Sequence, residues 1–170
     1  MNTGGKLDIA KEAAKNVVST LNIFDFVGFV TFSSQAKSYK NNLIEANKIN
    51  IADIDGYIDG IDATGGTNFE AGFRKAFEII DNSAGSELGT GCETVILFLT
   101  DGEITEGIDN KETLLDLIKE LNDKHNANIF TYSLGKEADK TVTKYIACNM
   151  NGLFENIENS LDLQKAMNSY

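Results

Sequence analysis

Seven consecutive residues, Thr94-Val95-Ile96-Leu97-Phe98-Leu99-Thr100, stop abruptly at Asp101-Gly102-Glu103. Alternate side chains of a strand point to opposite faces, and here both sets are apolar. Such a run is predicted to be a strand covered on both sides, the situation of a strand inside a parallel sheet. A carboxylate placed directly at the end of that strand is not explained by packing, because Asp is costly to bury without partners. Asp101 therefore either binds something or satisfies backbone amides in its own turn, as Asp often does.

The rest of the chain supplies the elements that would cover this strand. Lys6 to Asn22 places Leu7, Ala10, Ala14, Val17 and Leu21 at helical spacing, after an Asn2-Thr3-Gly4-Gly5 turn suited to opening a helix. Phe26 to Phe32 is nearly continuous in its apolarity and predicts a central strand. Lys37 to Glu45 carries more charge and predicts an edge strand. Ile51, Ile54, Ile58 and Ile61 mark a helix over residues 50–61. Ala63 to Asn68 holds paired glycines and reads as a loop, and Phe69, Phe73, Phe77 and Ile80 line the helix after it. Asp81 to Gly91 is a polar linker. Beyond Asp101, helices are expected over Lys111 to Asn122, around Asp139 to Asn149, and at the close from Leu161 to Met167. Strands are expected over Asn128 to Gly135 and Leu153 to Ile157.

Strands alternating with helices predict an α/β fold, an open and mostly parallel sheet with helices on both faces and right-handed crossovers. Ligands of such sheets bind beyond the carboxyl ends of the strands. The loops holding Thr67 and Asp101 are therefore the candidate site. A chain of 170 residues, 42% hydrophobic and 24% charged, fits one domain spanning residues 1–170. No stretch reaches the ~18–20 apolar residues of a membrane span, and no basic-then-apolar leader opens the chain.

A net charge of −11 with scattered Lys and Arg argues against a nucleic-acid partner and for a cation or a basic surface, or simply for solubility. Cys92 and Cys148 match no zinc spacing, and the single histidine, His125, has no nearby ligand in sequence. The two cysteines are read either as buried thiols or as disulfide partners, to each other or to another segment. Thr67 and Asp101 offer hard oxygen atoms of the kind that magnesium or manganese takes. A cation held by few charged ligands would seek an acidic group from a partner. Glu103 is read as a solvated loop charge.

Leu97-Phe98-Leu99-Thr100-Asp101-Gly102, Thr64-Gly65-Gly66-Thr67-Asn68-Phe69 and Gly4-Gly5-Lys6-Leu7 together resemble the von Willebrand factor type A domain, with its Rossmann-like sheet, over nearly the whole chain. In that family a metal-ion-dependent adhesion site joins an Asp-x-Ser-x-Ser segment after the first strand, a Thr from a second loop and an Asp from a third. Thr67 and Asp101 match the second and third contributions. The first contribution and the first central strand are not in this sequence, with Met1 standing where a Met usually follows the segment. The resemblance thus implies an N-terminally truncated fragment of a longer protein, or else a divergent domain that has dispensed with the metal. It implies Mg2+, or Mn2+ or Ca2+, in the complete domain, and weak binding or none here.

A narrower resemblance is carried by Lys144 to Phe154 and by Phe130-Thr131-Tyr132-Ser133-Leu134-Gly135. These are similar to the type A domain of alpha-two-delta auxiliary subunits of voltage-gated calcium channels and of cache-domain relatives. It implies an extracellular binding module whose metal meets an acidic residue of a partner, a pore-forming channel subunit among the candidates, with Cys148 in a disulfide. The alternative is a cytoplasmic scaffold domain of a larger complex. Strand edges left open would invite self-association. An enzyme is not expected, because neither a phosphate-binding glycine fingerprint nor a base beside these loops is present.

Overall fold

The computed structural model of the chain describes residues 5–84, 93–135, 138 and 140–158. The elements run α1 (Lys6–Thr20), β1 (Phe26–Val27), β2 (Val30–Phe32), β3 (Ala36–Ser38), β4 (Ile44–Glu45), α2 (Lys48–Asp59) and α3 (Phe69–Ser83) in the first half. Then come β5 (Val95–Thr100), α4 (Lys111–Asn122), β6 (Asn128–Leu134), α5 (Thr141–Asn149) and β7 (Phe154–Ile157). The expected closing helix over Leu161 to Met167 lies outside the described residues.

The strand ending at Asp101 is β5. It pairs in parallel with β6, and β6 pairs in parallel with β7, giving the order β5-β6-β7. Its side chains divide between two cores, as an all-apolar strand requires. Ile96 and Phe98 face Phe73, Leu114, Ile118 and Ile146 of α3, α4 and α5. Leu97 and Leu99 pack with Ala13 of α1 and with Tyr132 and Leu134 of β6. A third cluster, Val18, Ile54 and Ile58, joins α1 to α2. Helices therefore cover both faces, and the α/β reading holds.

The strand expected over Phe26 to Phe32 is interrupted into β1 and β2, and its partner over Lys37 to Glu45 into β3 and β4. Both pairs are antiparallel, and a hydrogen bond from the Tyr39 amide to the Phe29 carbonyl (2.8 Å) links them along one edge. The break falls at Gly28, where α3 passes so close that an added Cβ would lie 2.5 Å from Ile79 Cδ1. Helix starts follow local capping. Asn47, Asn68 and Asn110 each accept hydrogen bonds from amides in the first turns of α2, α3 and α4. The α1 start differs from expectation, since Gly5 at φ 71° precedes it without a side-chain cap.

Among the described residues no strand pairs the edge of β5 that faces away from β6. Between that edge and β1–β2 lies a cleft of roughly 1810 Å³, walled by α1 on one face and α3 on the other. The central strand that the family resemblance leads one to expect has no counterpart there. Across the cleft the halves meet through side chains, with the Phe32 and Phe98 rings stacked at 5.0 Å.

Candidate metal-binding loops at the strand ends

Both predicted site residues lie at the same end of the sheet. Thr67 follows the Gly65-Gly66 pair, whose first glycine adopts φ 78°, a left-handed conformation that suits a residue without Cβ. Asn68 then caps α3, accepting from the Ala71 amide at 2.9 Å, so that the loop is anchored to the helix directly behind Thr67. Asp101 leaves the end of β5 with its side chain 14% exposed. The two approach each other across Gly102, where a Cβ would stand 3.8 Å from the Thr67 hydroxyl oxygen.

A second loop locks Thr67 in place. The Thr67 amide donates to the Thr105 hydroxyl at 2.7 Å, and the Thr67 carbonyl accepts from the amides of Thr105 (3.0 Å) and Glu106 (3.3 Å). A third joins through Ser34, whose hydroxyl donates to Glu106 Oε1 at 2.8 Å and accepts from the Gly66 amide at 3.0 Å. Ser33 closes the ring, its carbonyl accepting from the Asn68 amide at 2.9 Å. Three strand-end loops thus hold one another through named hydrogen bonds. Ser33, Ser34, Thr105 and Glu106 were not singled out from sequence. Ser33-Ser34 carries the same signal as Asp101, polar residues directly after an apolar strand.

Electrostatically, Asp101 has a cation beside it already. Lys6, at the start of α1, places its ammonium 3.8 Å from Asp101 Oδ2. Glu103 is exposed, as a solvated loop charge should be. The donor set offers one carboxylate and neutral hydroxyls, hard oxygens suited to a small divalent cation, but fewer ligands than the six that such an ion takes. Among the described residues, no three His, Cys, Asp or Glu side chains gather as a metal-binding group. The residues present fit part of a cation site, with Thr67 and Asp101 as its protein ligands.

The cysteines sit elsewhere. Cys148, in α5, is exposed with a free thiol, and Cys92 lies outside the described residues. Among the described residues, no helix is long and apolar enough to cross a membrane.

Comparison with known proteins gives these loops a context. The model of one family, described as "von Willebrand factor type A domain", matches residues 1–169. Inter-alpha-trypsin inhibitor heavy chain H4 of Bos taurus is 28% identical over 95% of this chain. The chain spans 18% of that heavy chain's length. Among solved structures, a von Willebrand factor type A protein from Catenulispora acidiphila superposes with a TM-score of 0.78 at 19% identity, over 96% of this chain and 37% of that one. Proximal thread matrix protein 1 of the mussel byssus, solved with a zinc-occupied adhesion motif, superposes at 0.70 and 21% identity, over 99% of this chain and 40% of that one. These likenesses correct the narrower expectation, since the relatives are inhibitor heavy chains and not calcium-channel alpha-two-delta subunits.

Proposed function

The chain belongs to the von Willebrand factor type A domain family, and from that premise we propose that it is a non-catalytic protein-binding module whose contact surface is the Thr67–Asp101 end of the sheet. The observation that carries this reading is the convergence of Thr67 on Gly102 and Asp101, held by the Thr105, Glu106 and Ser34 hydrogen bonds. Such a rigid ring of loops presents oxygen donors at a fixed place, which a catalytic site also needs. Here, however, no histidine or thiol stands near to act as base or nucleophile among the residues described around it.

The cation would be Mg2+, with Mn2+ or Ca2+ as substitutes, held by the Thr67 hydroxyl and the Asp101 carboxylate. When bound, it supplies an open coordination position to which a partner's carboxylate can add. The chain's own part is to orient the two oxygens and to keep the remaining charge low. Glu106, the other carboxylate of the ring, is turned to Ser34. The partner in this reading is a protein with an exposed Asp or Glu. A channel subunit in that role finds no support in the inhibitor heavy-chain relatives. The same relatives favour an extracellular setting, in which Cys148 would be available to a disulfide with another segment.

Paramagnetic Mn2+ tests the site directly, because it broadens amide signals near it even when binding is weak. At about 1 mM Mn2+, within the range of weak divalent sites, the signals of Thr67, Gly102 and Glu103 should broaden, and excess Mg2+ should restore them. Asp101→Ala and Thr67→Ala should remove the effect. Broadening confined to exposed carboxylates elsewhere would overturn the assignment.

A further inference from the structure

The cleft between β5 and β1–β2 has the dimensions and chemistry of a missing strand, and its boundaries say what fits. In a parallel ladder, main-chain groups of alternate residues bond to alternate sides. The Thr94 carbonyl accepts from the Asn128 amide of β6 at 3.0 Å. The main-chain groups of Val95, Leu97 and Leu99 therefore point the other way, into the cleft. On the opposite bank, β3 and β4 pair with one edge of β1–β2 and leave the second edge toward the same space. Above and below, the walls are apolar, with Ala10, Ala14 and Val17 of α1 on one face and Phe73, Ala76 and Ile80 of α3 on the other. A groove bounded by two strand edges and two apolar helix faces selects an extended backbone with apolar side chains on both sides.

Direction and charge narrow the occupant further. The end of β2 lies at Asn68, through the Ser33 carbonyl, and the end of β5 lies beside Thr67, so both banks run the same way. An added strand running with them emerges at the mouth where Asp62 and Asp101 stand. Lys6 offsets part of that charge and leaves the mouth acidic. A second copy of the chain has no strand to lend. Among the described residues the runs apolar on both faces, β5 and β6, are already held inside the sheet.

We propose that this cleft is an acceptor site for an extended segment donated by another polypeptide, apolar on both faces over about the six residues of β5 and followed by a basic residue at the Asp101 mouth. The donated segment becomes a strand between β5 and β2, parallel to both, and joins the two halves of the sheet into one.

The probe is a labelled, end-blocked peptide of six alternating valine, threonine and isoleucine residues followed by two lysines, titrated in EDTA. Removing metal keeps the outcome separate from the cation reading above. One peptide should bind per chain. A proline in the middle, which removes a ladder donor, should weaken binding at least about tenfold. Replacing the lysines by glutamates should also weaken it, by roughly threefold. Amide exchange at Leu97 and Leu99 should slow on binding, while exchange in β7 stays as it was. Ala76→Glu should abolish binding, with Ala14→Glu as the second variant if the first does not fold. Equal binding of the proline peptide, or unchanged exchange at Leu97 and Leu99, overturns the proposal. So does slow exchange of those amides in the chain alone. If that holds in dilute monomer, a segment of the chain itself fills the cleft. If it appears only as the chain dimerises, a second copy does.

Discussion

At Gly152 a Cβ would run into the Ile129 carbonyl, its carbon only 2.5 Å away, because the turn after α5 passes directly over β6. The obstacle is backbone and cannot swing aside. Gly152→Ala should therefore cost about 3 kcal/mol or prevent folding, read as a lower denaturant midpoint at an unchanged slope. Asn68 acts at the site itself, since it caps α3 and anchors the loop that aims Thr67. Asn68→Ala should lose about 1 kcal/mol of stability and should broaden the conformations of Thr67, seen as weaker Mn2+ effects there. Lys6 acts in the opposite sense. Its ammonium lies where a cation bound to Asp101 would feel it, and at such a distance in water the repulsion is about 1 kcal/mol. Lys6→Gln should accordingly tighten metal binding roughly fivefold at low salt, and an unchanged affinity would mean that the ion does not sit beside Asp101.

Among the elements, β5 owes its place to Phe98, whose ring stacks on Phe73 (4.6 Å) and Phe32 (5.0 Å) and meets Phe69 edge-on (4.8 Å). Phe73 is fully buried, so Phe73→Ala should cost about 3–5 kcal/mol in thermal or chemical unfolding. The elements read most surely from sequence were those with one strong period. The apolar run of β5 and the Phe69, Phe73, Phe77 stripe of α3 needed no tertiary knowledge. Gly28 shows where such reading stops. Its neighbours have the same apolarity as any strand, and the break there comes from Ile79, which lies far along the chain. The same holds for the site. Asp101 and Thr67 stand out because a strand end and a glycine pair are local signals. Thr105, Glu106 and Ser34 matter only through hydrogen bonds across loops, and nothing adjacent in sequence marks them.

For the molecule as a whole, one charged clamp ties α3 to the turn after α4. Asp81 accepts from Lys124 at 2.6 Å and meets His125 Nε2 at 2.8 Å, while the His125 ring stacks on Phe77. The Lys124 hydrogen bond chiefly holds the Asp81 carboxyl below its ordinary range, opposed by partial burial and aided by His125. A carboxyl lowered in the folded state contributes stability above its unfolded pKa of about 4 and loses it as pH falls further. Asp81→Asn should flatten that acid limb of the stability curve, by no more than about 1 kcal/mol because the pair is exposed. The clamp matters more for how the halves hold together than for its energy. Across the cleft, residues 26–45 and the β5-β6-β7 sheet share ring contacts but, among the described residues, no ladder of main-chain bonds. Heat should therefore melt the molecule in two overlapping steps, with a calorimetric enthalpy exceeding the van't Hoff value. A strand seated in the cleft would convert that profile to a single cooperative transition, making the peptide a switch of folding cooperativity as well as a ligand.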